Sequence, residues 1–297
     1  MTAAGFDPRY DIGTPSSGLA RRRLVQRAVA IAAVLSAALA CALLLIVLGS
    51  VLSKGIDQLD LSFFTTPKAL FGEKSGIADA LVGSALIVGL ATLISVPLAV
   101  LVAVYVSEYA GLRAARFFRL VLDILNGIPA VVVGIFIYGL LVVGHRQSAI
   151  YGSFCLAILM LPLVSRATQE VLALVPRALR EASLALGVPR WRTVYSIVLP
   201  TAIGGILTGV VLAVARVAGE TAPLLFTSSL LTNGISTNVT QPLASLPLAI
   251  FTLSESSDPN DQAAAWAAAL VLIGFVLVMN ILAKTFAGRK RKKLEGS

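Results

Sequence analysis

Seven long stretches of this 297-residue chain contain no Asp, Glu, Lys or Arg: 28–53, 80–107, 124–145, 147–165, 193–215, 221–254 and 262–283. A spanning helix needs roughly 20 apolar residues, and most of these stretches reach that length. Charge falls to 13% of residues, about half the share of an ordinary soluble domain, while hydrophobic residues make up 57% and mean hydropathy is +0.90. The chain is expected to be an all-α polytopic membrane protein with no room for a large extramembrane domain. The net charge of +9 then records membrane orientation rather than affinity for nucleic acid.

The first run follows Arg21-Arg22-Arg23 and Arg27 in the order of a signal peptide. It outruns an ordinary signal h-region and lacks an A-x-A end, so it is expected to be an uncleaved helix. Runs 124–145 and 147–165 meet at Gly144-His145-Arg146 and form a hairpin of two spans. Run 221–254 is polar in its middle, with Ser228, Ser229, Thr232, Asn233, Ser236, Thr237 and Asn238, and is expected to be a loop. Six transmembrane helices result, near 28–52, 80–107, 118–143, 148–168, 198–224 and 263–284.

The basic residues test that topology. Five lie in the N-terminal tail, three at 113–119, five from Arg166 to Arg192 and six from Lys284 to Lys293. All of these share one face, opposite Lys54, Lys68, Lys74 and Arg146. The positive-inside rule makes the richer face, with both termini, cytoplasmic. The segments are then a cytoplasmic tail 1–27, a permease domain 28–284 with a cytoplasmic loop at 170–197 and an external loop at 225–262, and a basic tail 285–297. That tail, Arg289 to Lys293, fits a stop-transfer anchor or a patch for anionic lipid.

Gly83, Gly89, Gly134, Gly139, Gly204, Gly205 and Gly209 suit close helix packing. Pro97, Pro129 and Pro200 mark kinks or helix ends. No P-loop sequence occurs, so ATP hydrolysis is assigned to a separate subunit. His145 has no ligand-spaced neighbours, so no metal is expected. Cys41 and Cys155 fall in spans, as small apolar residues. Trp191, Tyr195 and Trp266 fit interfacial belts.

The loop between the fourth and fifth helices carries a signature. Residues 177–186 form a short helix ended by Gly187, whose missing Cβ permits a left-handed turn, and Pro189 opens a second helix. Such a helix–turn–helix, with small residues outward, suits insertion into a partner's groove. Glu181, Ala182, Gly187, Ile197, Leu199 and Pro200 match the E-A-A, three, G, nine, I-x-L-P spacing of the EAA motif, with Ser183 in place of the third position's usual Ala. The chain thus resembles the permease subunits of ABC importers. The resemblance implies the type I importer fold, with this loop as the coupling helix that docks on an ATPase subunit.

One basic residue remains inside a span. Arg216 lies about 24 Å along a fifth helix that starts near Pro200, and Glu220 is four residues on, on the same helical face. A charge at that depth costs several kcal/mol unless paired or facing a cavity. A guanidinium fork recognises a tetrahedral oxyanion, and Glu220 suits holding it or accepting a proton from the anion. The alternative is an ion pair that fixes packing. Thr221 offers a hydroxyl beside Glu220, unless it bonds its own helix. Asn126 lies near the cytoplasmic start of the third helix, where a helix cap is the competing role.

The strings Ala215 to Leu224 and Asn126 to Gly134 are similar to those of PstA-type phosphate permeases. That narrower resemblance, from the first helix to the basic tail, implies a phosphate pathway past Arg216 and Glu220 by alternating access. It also implies a prokaryotic inner-membrane location, a sister permease of the PstC type, two ATPase subunits carrying ATP and Mg²⁺, and an external phosphate-binding protein. Permeases for sulfate, molybdate or amino acids are the nearer rivals. An ion-coupled secondary carrier has no need of the EAA spacing, and a non-transporting scaffold leaves the Arg in a span without a reason.

Overall fold

The computed structural model describes residues 17–69, 74–228 and 234–294, and side chains over residues 21–285 of these. Every regular element among the described residues is helical. The chain divides into two units, residues 1–50 and 51–297. The first holds most of α1 (Ser17–Gly55), whose side chains such as Leu35, Leu39 and Ile46 are exposed. Residues 1–16 of the N-terminal tail and residues 229–233 of the expected external loop, with Ser229, Thr232 and Asn233, lie outside the described residues, as do the side chains of the Arg289–Lys293 tail.

In the second unit Asp60 caps α2 (Leu61–Thr65), accepting the Phe63 N–H at 2.7 Å. Long helices follow: α3 (Ala78–Val104), α6 (Ala149–Leu174), α9 (Leu199–Val217) and α12 (Pro259–Leu294). Each belongs to a helical run long and apolar enough to cross a membrane. The expected third span is not a single helix. It is α4 (Leu112–Gly127) and α5 (Ala130–Ile137, prolonged by a wide turn at Tyr138–Val142), bent by 94° at Ile128-Pro129. Pro129 has no N–H to give and holds Ile128 in extended backbone (ψ 128°), which stops α4.

The fifth span differs too. Its helical run starts at Arg190, through α8 (Arg190–Thr193) and a wide turn at Val194–Val198, rather than at 198. In that turn the Leu199 N–H reaches back to the Val194 carbonyl, a five-residue step, just where Pro200 would otherwise collide with the preceding turn. The run ends at Val217 and restarts as α10 (Ala222–Thr227), so the expected helix through 224 is broken at 218–221. The expected external loop is partly helical: α11 (Leu246–Ser254) packs on α12 and α3, burying Leu246, Leu248 and Leu253. The Ser84 hydroxyl accepts the Leu246 N–H at 2.7 Å.

α6 is the central strut. It packs against α3, with the Ser165 hydroxyl donating to the Ala99 carbonyl at 3.1 Å, and against α9. Small residues allow the second contact: a Cβ added at Gly209 would stand 2.6 Å from that of Ala167. Between α6 and α9 lies the loop that carries the EAA spacing, where α7 (Arg177–Ala185) ends as expected at Gly187 with φ +76°.

Candidate functional site

Two helix breaks meet. α5 packs on α10 so closely that a Cβ at Gly134 would lie 2.7 Å from the Cα of Pro223. The last carbonyls of α10 are satisfied from the segment that leads into α6: Gln147 Nε2 donates to Leu225 and Phe226 O, and the Ser148 N–H donates to Thr227 O at 3.1 Å. This fixes the end of α10 at the start of α6.

A cavity of about 290 Å³ lies at that junction. Asn126 to Ala130, Leu159, Leu163, Arg216 and Glu220 line it. Leu159 and Leu163 stand near the middle of α6, so the cavity sits about halfway along that span. Arg216 occupies the last turn of α9, where a cation is favoured by the helix dipole. Ala130, the first residue of α5, belongs to the same wall.

The sequence-predicted residues are placed unequally. Arg216, Glu220 and Asn126 come together in this one cavity. Thr221 is not among its lining residues; it heads α10, its carbonyl accepting the Leu224 and Leu225 N–H groups. Asn126 does not cap a helix start, because α4 begins at Leu112 and puts Asn126 in its last turn. Nor do Arg216 and Glu220 share one helical face as a pair. α9 ends between them, and among the described residues they form no salt bridge with each other. Both groups are therefore available to a third party.

A second charged pair was not anticipated. Arg166 of α6 donates to the Asp123 carboxylate of α4. Arg166 follows Leu163 by three residues and Asp123 precedes Asn126 by three, so the pair stands about one turn beyond the cavity on both of its walls. A larger cavity of about 480 Å³ between α3, α9 and α12 offers an anion little. Its Thr92 hydroxyl already bonds the Val88 carbonyl, Ser84 holds Leu246, and the rest of its lining is apolar or glycine.

The loop between α6 and α9 is a folded unit. Gly187 closes α7 in a Schellman arrangement, the Val188 N–H reaching Ser183 O at 3.2 Å and the Gly187 N–H reaching Leu184 O at 2.9 Å. Glu181 and Ala182 are exposed beside Leu179, Leu184 and Leu186, while Ile197 and Leu199 are half-buried and Pro200 is exposed. Ser183 departs from the expectation of small residues facing outward. It is buried, and its hydroxyl hydrogen-bonds Thr193 Oγ1 at 2.9 Å, tying α7 to α8. An Ala at this position would lack that tie.

The family model described as binding-protein-dependent transport system inner membrane component matches residues 95–292, which include both breaks and the loop between α6 and α9. The chain belongs to this family. It is 42% identical over 253 residues to the phosphate transport system permease protein PstA of Yersinia pestis, covering 82% of this chain and 84% of the relative. To PstA 1 of Mycobacterium tuberculosis (strain ATCC 25618 / H37Rv) it is 40% identical over 224 residues, covering 74% and 72%. Among solved structures, a chain of a bacterial alginate ABC transporter in complex with an alginate pentasaccharide-bound periplasmic protein superposes with a TM-score of 0.61 at 14% identity, over 91% of this chain and 96% of that one. A chain of the methionine transporter MetNI, inward facing, superposes with a TM-score of 0.53, at 15% identity, over 71% and 94%. One fold thus serves unlike cargoes, and the permease of this family is a membrane-embedded transport component rather than an enzyme.

Proposed function

We propose that this chain is one half of the translocation pore of an ATP-driven importer of inorganic phosphate, and that phosphate passes the cavity between the 127–129 and 218–221 breaks. The observation that carries this is Arg216, an exposed cation in a membrane span that opens on a polar cavity without a salt bridge to Glu220. Facing lipid, it would cost several kcal/mol; facing a wet passage, it stands ready for an oxyanion. The relatives named for phosphate transport give the cargo.

Arg216 binds the anion through its guanidinium, Asn126 adds its amide, and the start of α5 adds backbone N–H groups. Glu220 keeps the empty cavity near neutrality and accepts a hydrogen bond from the P–OH of hydrogen phosphate. A neutralised Arg holds phosphate weakly, which lets it leave. Thr221 stays at the rim, outside the lining. The route continues past Arg166 and Asp123 toward the coupling-loop face, which is the cytoplasmic one, with both termini.

The alternation comes from partners: a sister permease of the PstC type, two ATPase subunits that bind ATP and Mg²⁺, and an external phosphate-binding protein. Glu181, Ala182 and Gly187, with the exposed leucines around them, dock on the ATPase. Ser183, Ile197, Leu199 and Pro200 give the loop its rigidity. In proteoliposomes holding the whole assembly, radiolabelled phosphate uptake should require ATP and resist excess sulfate or molybdate. Uptake by this chain without the ATPase, or displacement by sulfate, would overturn the proposal.

A further inference from the structure

The coupling helix is fastened to the rest of the fold by a residue adjacent to Glu181. Arg180 points inward, and all three of its guanidinium nitrogens donate hydrogen bonds. Nε donates to both Glu108 oxygens at 3.2 and 3.3 Å, and Nη2 donates to Glu108 Oε1 at 2.7 Å and Leu172 O at 2.9 Å. Nη1 donates to Val175 O at 2.6 Å. Leu172 and Val175 stand at the end of α6, where carbonyls lack helical partners. Glu108 is buried, in the wide turn Tyr105–Tyr109 that ends α3. The next residue, Tyr109, lies under the guanidinium of Arg190 at 5.4 Å, from the first position of α8.

Two arginines, one on each side of the Gly187 turn, therefore grip successive residues of the wide turn that ends α3, and one of them also grips the end of α6. α3 and α6 pack along their lengths, and α6 supplies Leu159 and Leu163 to the cavity. Glu181, by contrast, is exposed.

We propose that Arg180 with Glu108 is the transmission link of the coupling loop: neighbouring positions divide the work, Glu181 docking the ATPase and Arg180 conveying its movement to α3 and α6. Arg180 is a positioning residue and touches no substrate. This rests on the reading of α7 as the ATPase-docking helix.

The test uses the whole assembly in proteoliposomes, with uptake and ATP hydrolysis measured together. In the double variant R180Q/E108Q, which leaves no lone buried charge, the ATPase subunits should co-purify as with the natural chain. Phosphate moved per ATP hydrolysed should fall about tenfold, on the scale of a coupling free energy between sites. A merely structural pair would lower both rates together and leave the ratio alone; that result overturns the proposal. If the double variant does not assemble, Glu108→Asp, which retracts the carboxylate by one methylene and keeps its charge, should still lower the ratio, and an unchanged ratio overturns the proposal equally. Failure of the natural chain to recruit any ATPase would instead refute the docking reading, before either variant is compared.

Discussion

Replacing Arg216 by Gln keeps a hydrogen-bonding amide in the cavity and removes one positive charge. The lining then holds Glu220 as its one ionisable side chain, so the site changes from near neutral to negative. An anion about 5 Å from the lost charge forfeits roughly 3 kcal/mol at an effective dielectric of about 20. The lost charge-assisted hydrogen bonds point to a similar figure, about 1.5–3 kcal/mol. Uptake by the reconstituted assembly should therefore drop by about two orders of magnitude. ATPase co-purification should be unaffected, because Arg216 is remote from α7 in the fold, at the other end of the Arg190–Val217 run. The companion R216Q/E220Q restores neutrality and should recover part of the loss. Phosphate uptake by R216Q within a factor of about 3 of the natural rate would refute the electrostatic reasoning, since so small a change is under 1 kcal/mol.

Gly134→Val should separate α5 from Pro223, destabilising the protein by about 1–3 kcal/mol and lowering its unfolding temperature in detergent. Ser183→Ala removes a buried hydrogen bond and leaves Thr193 only its 3.4 Å bond to Pro189 O; a loss of about 1 kcal/mol in thermal stability is expected, with docking retained. At the Asp60 cap, the Ser62 hydroxyl and then the Phe63 N–H hold the carboxyl below its ordinary range. Its stabilising effect is present above the unfolded carboxylate pKa and is lost as pH falls through the lowered one, so exchange of the Phe63 amide should gain protection as pH rises across that window, after correction for intrinsic rate.

Much of this was legible in the chain itself. Charge-free runs mark spans because lipid excludes charge, and the coupling loop is visible because its glycine, prolines and small residues sit at fixed offsets. The bends are harder to see. A hydrophobic count is blind to direction, so 118–143 looks like one span although Pro129 turns it by 94°. Pro129 and Gly219 were the available signals, and either can equally sit at a helix end. Because α9 stops at Val217, the i,i+4 relation of Arg216 and Glu220, sound for a continuous helix, does not apply. The Glu108–Arg180 and Asp123–Arg166 pairs join residues 72 and 43 apart in the chain, and no local pattern announces such partners.

The central claim is that phosphate passes between the two breaks. Its most direct test is Asn126→Cys in a chain whose Cys41 and Cys155 are Ala, treated with a membrane-impermeant, negatively charged thiol reagent in the reconstituted assembly. The account predicts labelling during turnover that slows as phosphate is raised and does not slow with sulfate. A Cys at position 126 that never reacts, or reacts at a rate indifferent to phosphate, would contradict it.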